Sequence, residues 1–416
     1  MKKIIAAVIG TLLLCSINLV NAQFLTTHYY TGNCAIASDY VMGGVAVDTN
    51  NNKWFGTDQG VVKYNGSTWA TYTTADGLPV NIISCIAVDK NNNIWIGTDG
   101  DGVAKFNGST WTKYTTADGL CDNGIRYVAG DINGDVWFGS GGAGVSKLSG
   151  ATWTTYTTGL PMNGGIYAAV NFITVDNSGT KWFGTDAGVA KFNGTTWTVI
   201  DQSVEDSLVD NGITSIAIDA ANNKWIGTLS GITKLNSSDV WVKNYRPIDG
   251  MYNNGLRDLD IDVNGKLWMG LYTDYNNNGG ITRFDGTSWT SQQFDFPDSV
   301  SADWIFRLAV DKNNDVWVAM DYGVIKIDHT SSISENQQSG ALNVFPNPVS
   351  DRITLNLDIN SCQKDQLVQI YNAVQKVKEV NMPAFMASTT IPVDDLPCGL
   401  YFVRVGNLTN KIIISR

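Results

Sequence analysis

Histidine and glutamate are nearly absent from this chain of 416 residues, which narrows both its chemistry and its secondary structure. The two histidines, His28 and His329, stand in no motif with serine or cysteine, so a hydrolase triad has no support and a histidine-rich metal site is ruled out. Of the 39 acidic residues only three are glutamate, which leaves 36 aspartates. Because aspartate suits turns and is disfavoured inside helices, the acidic residues indicate an all-β protein.

Charge is also scarce, and it is mostly negative. Charged residues make up 16% of the chain, and the formal net charge is -11. A negative chain without a basic stripe is a poor match for nucleic acid, and anionic lipid surfaces should repel it. We therefore expect no nucleic-acid partner.

Long apolar runs are missing except near the N-terminus. Two lysines precede an apolar stretch at residues 4–14, which is too short to span a bilayer as a helix. Small residues before Gln23 provide a cleavage site, so residues 1–22 are predicted to be a signal peptide. Lipoprotein processing at Cys15 is the alternative, but the preceding leucine is too large for that cleavage. We expect no membrane span after signal cleavage.

Five cysteines remain after this cleavage, and export permits disulfides. Their spacings fit no zinc pattern. Cys362 and Cys398 share the C-terminal segment, so the sequence permits a bond between them. The other three cysteines are Cys34, Cys85 and Cys121. Because five is an odd number, at least one thiol must be free or paired with a second chain.

One sequence unit recurs seven times between residues 40 and 328. Each copy has an aspartate before an Asn-rich turn, a tryptophan, and a Gly-Val-Ala-Lys-Phe segment or a close variant; every copy but the last ends in Thr-Trp-Thr-x-Tyr or a variant of it. The first tryptophans of the copies lie 41 to 49 residues apart, at Trp54, Trp95, Trp137, Trp182, Trp225, Trp268 and Trp317. That period is typical of four-stranded propeller blades. The sequence predicts an all-β, seven-bladed β-propeller over residues 23–330.

Each copy is predicted to form four short strands separated by turn residues. Seven tryptophans fall on the second strands and six on the fourth strands, the latter being Trp69, Trp111, Trp153, Trp197, Trp241 and Trp289. Because a propeller core is built from such sheet faces, we expect these side chains to pack between blades rather than to bind sugars.

The seventh copy stops after its third strand, at residue 328. The missing strand is expected at the other end of the chain, because Leu25-Thr-Thr-His-Tyr-Tyr-Thr31 resembles Thr154-Thr-Tyr-Thr157 of the third copy. An N-terminal strand in the last blade would close the ring and remove its exposed sheet edges.

The repeat resembles a known family. The run Ala87-Val-Asp-Lys-Asn-Asn-Asn-Ile-Trp-Ile-Gly-Thr-Asp-Gly100 resembles the two-component regulator propeller repeat, found in extracellular sensor regions of hybrid sensor kinases of Bacteroidetes-type bacteria. Those sensors have paired propellers, a membrane helix and a kinase, none of which is expected from this sequence. The resemblance therefore implies the propeller fold and not signalling by this chain.

Residues 341–416 resemble the type A sorting domain of type IX secretion. The similar segments occur in the family's order: Val344-Phe-Pro-Asn-Pro-Val349, Val368-Gln-Ile-Tyr-Asn372, Leu396-Pro-Cys-Gly-Leu-Tyr-Phe-Val-Arg404 and Lys411-Ile-Ile-Ile-Ser-Arg416. Cys398 replaces the usual alanine or serine. The resemblance implies the type IX machinery as a partner and a route through the periplasm and outer membrane. It also implies removal of the module, with release of the protein or its attachment to surface lipopolysaccharide.

The residues of this C-terminal segment agree with that resemblance. Alternating apolar and polar residues at 352–357 and 400–405 predict strands, and a small β-sandwich is the natural result. The polar residues 331–340 are predicted to be a linker between the propeller and the sorting domain at 341–416.

Paired carboxylates are the remaining route to catalysis, since most glycosidases use two. Most candidates recur at one position of the repeat, at Asp48, Asp89, Asp131, Asp176, Asp219, Asp262 and Asp311. A residue present in every blade is expected to build the blade, through an Asx turn between its first two strands. We therefore expect that the protein is not an enzyme.

Calcium is the one inorganic ligand that these turns could bind. Asp131-x-Asn133-x-Asp135 and Asp311-x-Asn313-x-Asp315 resemble the first half of a calcium loop, without its later glycine and glutamate. The turn interpretation explains the same residues. No cofactor is assigned, and calcium remains the alternative.

Departures from the repeat indicate where a ligand could bind. The loops that join blades lie on the same side of the ring as the turns between second and third strands, and sequence variation concentrates there. The sixth copy has an enlarged loop at residues 271–280, the stretch 201–210 is long and acidic, and one tryptophan lies off the repeat. Loops on a rigid scaffold often carry function, although ordinary loop packing would explain the same residues. The candidate ligand-binding residues are Tyr252, Tyr272, Asp274, Tyr275 and Trp304.

Together these features predict a monomeric binding module, secreted or held at the outer cell surface, that recognises a polysaccharide or a protein partner through its loop face. Two alternatives remain. One is a secreted glycan-active enzyme, either a lyase or a hydrolase. The other is a structural surface protein without a small ligand.

Overall fold

The structure, a computed structural model, describes residue 24 and residues 26–164, 166–203, 208–272, 280–294, 304–328, 342–345, 349–356, 365–372, 376–383, 388–405 and 408–415. The chain divides into two compact units, Met1–Ser332 and Ile333–Arg416. The predicted signal peptide and linker lie outside the described residues.

The first unit contains seven four-stranded antiparallel sheets, each of which is one blade. Blades one to six each use four consecutive strands, and a short hairpin, β14–β15, lies between blades three and four. Two single 3-10 turns, Thr74–Asp76 and Pro247–Asp249, follow the outer strands of blades one and five. In chain order, β1 is Thr26–Tyr29; β2 to β5 are Gly44–Val47, Lys53–Thr57, Gly60–Tyr64 and Trp69–Tyr72; β6 to β9 are Cys85–Val88, Ile94–Gly97, Val103–Phe106 and Trp111–Tyr114; β10 to β13 are Ile125–Gly130, Val136–Ser140, Val145–Ser149 and Thr152–Tyr156; β14 and β15 are Met162–Asn163 and Ile166–Tyr167; β16 to β19 are Val170–Val175, Lys181–Thr185, Gly188–Phe192 and Trp197–Ile200; β20 to β23 are Ile213–Ile218, Lys224–Thr228, Gly231–Leu235 and Trp241–Tyr245; β24 to β27 are Leu256–Ile261, Leu267–Leu271, Gly280–Phe284 and Trp289–Gln292; and β28 to β30 are Ile305–Val310, Val316–Met320 and Gly323–Ile327.

The seventh blade is completed by the N-terminal strand. β1 pairs antiparallel with β30, from Thr26 opposite Ile327 to Tyr29 opposite Val324. The Tyr29 ring lies 5.8 Å from the Trp317 ring of its own blade and 5.3 Å from the Trp69 ring of blade one. The first strands of neighbouring blades contact one another around the whole ring, including β2 with β28. The predicted closure of the propeller by an N-terminal strand is therefore confirmed.

The tryptophans occupy two layers of the blades. Those on second strands are buried and pack on a tyrosine of the fourth strand in five blades, as when Trp95 lies 5.7 Å from Tyr114. Those on fourth strands stack on an aromatic ring of the third strand in most blades, as when Trp289 lies 4.3 Å from Phe284, and they are less buried. Trp241 is 37% exposed. The fourth-strand tryptophans also pack between blades, because five of them contact a tyrosine of the preceding blade, as when Trp153 lies 5.6 Å from Tyr114. The predicted packing role is therefore confirmed for both sets, with the fourth-strand set nearer the outer rim.

The recurrent aspartate binds both the turn and the tryptophan of its own blade. Asp131 Oδ1 accepts hydrogen bonds from the Asn133 and Asp135 N–H groups at 2.8 and 3.0 Å, and its Oδ2 accepts from Trp137 Nε1 at 3.2 Å. The carboxylate–indole bond recurs in all seven blades, at 2.9 to 3.3 Å. The predicted Asx turn is confirmed. The indole bond, which the sequence alone did not suggest, explains why aspartate and tryptophan keep a spacing of six residues.

Three blades add a buried cation to this turn. Lys53 begins the second strand of blade one, and its Nζ lies 2.6 Å from Asp311 Oδ2 of blade seven and 5.0 Å from the centre of the Trp317 ring. Lys181 and Lys224 make the same kind of contact with the preceding blade, at 3.2 and 3.6 Å from the aspartate. Burial alone would raise the pKa of Asp311, but hydrogen bonds from Lys53 and Trp317 outweigh burial and lower it. The three pairs therefore join neighbouring blades by charge as well as by apolar packing.

The second unit contains two antiparallel sheets, in the orders β31-β32-β35 and β34-β33-β36-β37. Its core is formed by buried aliphatic residues from both sheets, such as Ile353, Ile370 and Val403. The predicted small β-sandwich is confirmed. β31 to β37 are Asn343–Phe345, Arg352–Asn356, Gln366–Tyr371, Lys376–Met382, Ser388–Pro392, Gly399–Val405 and Leu408–Ile414.

The cysteines of the described residues carry free thiols. Cys85 is buried, and burial raises its pKa to about 11, so it is an unreactive core thiol. Cys398 is also a free thiol, and Cys362, with which the sequence permits a disulfide, lies outside the described residues. No helix in the described part of the chain is long and apolar enough to cross a membrane.

Candidate functional site at the loop face

The inner strands of blades three to seven each contain a bulge at the end that faces the blade-joining loops. The pairing register shifts by one residue at the start of β10, β16, β20, β24 and β28. A bulge re-aims a side chain that a regular strand would direct toward the neighbouring blade. The extra residues are Arg126, Asn171, Thr214, Arg257 and Phe306.

Arg307, next to one of these bulges, spans the centre of the ring. It belongs to blade seven, yet its guanidinium donates to the Asn171 carbonyl of blade four at 3.0 Å and the Thr214 carbonyl of blade five at 3.3 Å. The same group lies 3.6 Å from Asp258 Oδ1 of blade six and 4.9 Å from the centre of the Tyr127 ring of blade three. Arg307 thus fills the middle of the ring at this level and connects five blades.

Asp258 is the carboxylate that faces Arg307. Its side chain is buried, and its Oδ2 accepts a hydrogen bond from the Leu308 N–H of the next blade at 2.9 Å. Burial raises the pKa of Asp258 to about 6, although Arg307 and the Leu308 N–H favour the charged form. Asp258 lies on the inner strand of blade six and binds the inner strand of blade seven, so it connects these two blades.

A cleft of about 690 Å³ opens on the loop face at blades five and six. Tyr252 lies at its rim, where the residue is 39% exposed and its hydroxyl oxygen accepts a hydrogen bond from the Gln293 amide. Asn253 holds the cleft floor, because its Nδ2 donates to the Tyr272 carbonyl at 3.1 Å and its Oδ1 accepts from the Gly255 N–H at 2.9 Å. The described residues that line the cleft are Leu229, Pro247, Tyr252, Asn253, Asn254, Gly255, Arg257 and Tyr272.

Arg257 lies against two aromatic rings at the edge of this cleft. Its guanidinium carbon is 4.6 Å from the centre of the Tyr272 ring and 5.6 Å from that of Trp304. The two rings are themselves 5.6 Å apart. Trp304 is fixed through its backbone, which exchanges hydrogen bonds with Asp321 at 3.1 and 3.2 Å, and the residue is 40% exposed. The arrangement presents two partly exposed aromatic rings, tilted by 49° to each other, with a guanidinium beside them.

The structure brings together three of the five residues that the sequence singled out. Tyr252 and Tyr272 line one cleft, and Trp304 contacts Tyr272. Asp274 and Tyr275 lie outside the described residues. Sequence reasoning missed Arg257, because that residue sits within a repeated strand. A signal was available, since only one other copy, at Arg126, has an arginine at the corresponding bulge.

The calcium alternative can be judged from the turns that suggested it. The Asp311 oxygens accept from the N–H groups of Asn313 and Asp315, from Trp317 Nε1 and from Lys53. Oxygens surrounded by N–H donors and an ammonium group are not arranged as cation ligands. Among the described residues, no group of three or more acidic, histidine or cysteine side chains is placed to hold a metal ion.

Comparison with known families agrees with this architecture. Residues 343–415 match the secretion system C-terminal sorting domain, and residues 77–100 match the two component regulator propeller. The chain is a propeller protein with a type IX secretion sorting domain. Its sorting domain directs secretion to the cell surface or beyond it. No curated protein matches the chain by sequence.

Solved structures show the same fold at low sequence identity. A streptogramin B lyase superposes with a TM-score of 0.60 at 17% identity, covering 73% of this chain and 97% of that one. YCF48 from Cyanidioschyzon merolae gives 0.51 at 14% identity, covering 70% and 97%. The GH74 xyloglucanase from Xanthomonas campestris gives 0.54 at 14% identity, covering 80% and 59%. These likenesses concern the fold alone.

Proposed function

We propose that this protein is a non-catalytic binding module which type IX secretion delivers to the cell exterior and which recognises a polysaccharide through the cleft at Arg257, Tyr272 and Trp304. The aromatic pair at the cleft edge carries the proposal, because Trp304 is 40% exposed although its backbone is fixed. Trp304 also lies beside a second aromatic ring at a concave site, so its exposed surface can be covered by a ligand. A ring that the fold holds partly exposed is suited to packing on a ligand.

The size and polarity of the cleft support a saccharide ligand. A volume of about 690 Å³ lies within the range of small-molecule sites. Asn254 is exposed at the lining and supplies amide donors and acceptors, while Tyr252 contributes a hydroxyl group. Flat aromatic surfaces combined with a few fixed polar groups suit a sugar, which has apolar ring faces and hydroxyl edges.

The cleft supports binding better than it supports glycan cleavage. Glycoside hydrolysis generally requires two carboxyl groups across the scissile bond. The described residues that line the cleft include no carboxylic acid. Asp258, the buried acid nearby in sequence, is engaged with the Leu308 N–H and Arg307. A glycan-active enzyme and a structural surface protein therefore become outcomes of the test.

A glycan array probed with the mature protein tests the proposal. Trp304→Ala should abolish binding to any glycan that the protein retains, whereas Trp241→Ala should preserve it. Trp241 is a matched control because it is 37% exposed on the outer strand of blade five, away from the cleft lining.

Three results would contradict this proposal in different ways. Glycan binding that survives Trp304→Ala would place recognition elsewhere. Release of shorter sugars from a bound glycan would identify an enzyme. Absence of glycan binding, with a surface protein recovered on the immobilised propeller, would favour the structural alternative.

A further inference from the structure

One position of the blade gives the loop face an acidic rim. It is the residue four positions after the second-strand tryptophan of each blade, at or just beyond the end of that strand. Four blades place an aspartate there, and blade three has Gly141; the four aspartates are Asp58, Asp99, Asp186 and Asp321. Asp99 and Asp186 are exposed, and the other two are half-buried. The rim therefore carries negative charge over most of its circumference.

Blades five and six break this rim side by side. Their residues at the same position are Leu229 and Tyr272, and both line the cleft. Arg257, the one arginine among the described residues that line the cleft, lies next to them on the inner strand of blade six. The cleft is thus a gap in the acidic rim that contains a cation and apolar surface.

Arg257 has no acidic partner among the described residues. The groups that act on it electrostatically are Tyr272 and Arg307, and neither is a carboxylate. Burial and the charge of Arg307 lower the pKa of Arg257, but an arginine remains charged at any physiological pH. A partly buried guanidinium without a counter-ion gains free energy from any anion that reaches it, because the local dielectric is low.

We propose that the ligand of this cleft is an acidic polysaccharide whose uronic acid carboxylate binds the guanidinium of Arg257 while the sugar ring packs on Tyr272 and Trp304. This inference rests on the proposed glycan-binding function and specifies its ligand class. The guanidinium fork matches a carboxylate in two parallel hydrogen bonds, and the Tyr272 ring, whose centre is 4.6 Å from the guanidinium carbon, holds the fork at the cleft edge. The remaining acids of the rim disfavour any approach that is not centred on the gap.

Matched pairs of acidic and esterified oligosaccharides test this inference by calorimetry. The probes are oligomers of galacturonate, glucuronate and guluronate, each beside its methyl ester, which removes the charge and keeps the sugar. At least one acid form should bind at least about tenfold more tightly than its ester. That difference should shrink as salt is raised, although less than for a fully exposed pair, because partly buried charges are screened less.

Arg257→Gln should weaken binding of the acid form by about tenfold or more and leave the ester unchanged. Arg257→Lys should give an intermediate loss, since lysine keeps the charge but not the fork. Arg126→Gln is the matched control, because Arg126 occupies the corresponding bulge of blade three and should bind like the wild type. If Arg257→Gln does not fold, the lysine variant and the salt dependence still decide the question.

Failure of this inference can be separated from failure of the proposed function. Equal affinity for acid and ester, or binding only to neutral glycans that Trp304→Ala abolishes, would overturn the acidic ligand and keep the glycan-binding cleft. Binding of no saccharide in either form would overturn both. An unchanged affinity of Arg257→Gln for the acid form would also overturn the role of Arg257.

Discussion

At one end of the blades, the turn between the first two strands encloses an aspartate with N–H donors on both oxygens; at the other end, the inner strands bulge and the loops differ from blade to blade. Two carboxylates show what this difference means. Hydrogen bonds outweigh burial at Asp311 and lower its pKa, whereas burial prevails at Asp258 and raises its pKa to about 6. At the turn end, N–H donors of the blade itself occupy both oxygens of the aspartate. At the loop end, the guanidinium of Arg257 has no carboxylate partner among the described residues.

The largest effect should follow removal of the strand that both ends depend on. Deleting residues 24–31 removes β1, leaves β30 as an unpaired edge and removes the contacts of Tyr29 with Trp317 and Trp69. Loss of a packed aromatic ring alone costs about 3–5 kcal/mol, so the melting temperature should fall by roughly 10 °C or more in calorimetry. Thr27→Ala, an exposed position on β1, should melt like the wild type. An unchanged melting curve for the deletion would refute closure by β1.

A smaller effect should separate blades that contain the buried lysine from those that lack it. Asp311→Ala removes the counter-ion of Lys53, whose side chain is 4% exposed, and should cost about 3–5 kcal/mol. Asp262→Ala removes the equivalent turn and indole hydrogen bonds where the next blade offers Val316 instead of lysine, and should cost about 1–3 kcal/mol. Urea unfolding measures both. Equal losses of unfolding free energy in the two variants would show that the ion pair adds nothing to the stability of the contact between blades.

The smallest effect should appear as a dependence on pH at the loop end. Asp258 has a pKa of about 6 in the folded protein against an ordinary value of 3.8, so the native state binds the extra proton between these values. Its contribution to stability is complete below about pH 4 and is lost as the pH rises through 6. The stability of Asp258→Asn relative to the wild type should therefore rise by about 2–3 kcal/mol between pH 4 and pH 7.5.

Asp285→Asn provides the control for this pH dependence. Asp285 is an exposed turn residue whose pKa is lowered by the N–H groups of Ser288 and Thr287. Its substitution should bring no relative gain in stability as the pH rises. A flat difference curve for Asp258→Asn in urea unfolding would show that its carboxyl group titrates normally.

The sequence predicted those parts of the fold that repeat along it. Seven spaced tryptophans imply seven blades, and a missing fourth strand in the last copy implies a donor strand elsewhere, which β1 supplies. The contacts between blades could not be read in the same way. Lys53 meets Asp311 across more than two hundred residues, and only the closed ring brings that pair together.

The candidate site was predictable only where it departs from the repeat. Tyr252, Tyr272 and Trp304 stand out in an alignment of the seven copies, and the structure places them at one cleft edge. Arg257 was missed because a bulge, which shifts the register by one residue, determines where its side chain points. Strand alternation alone assigns such a residue to the wrong face.

The pairing of β1 with β30 also sets an order of events in time. A chain exported from its N-terminus delivers β1 first, and that strand must wait for its partner while six blades are produced between them. Contacts of such long sequence separation form slowly. The sorting domain follows β30 in the chain, so it becomes available only after the last strand required for closure. The secretion machinery can therefore recognise the sorting domain only when every strand of the propeller is already present in the exported chain.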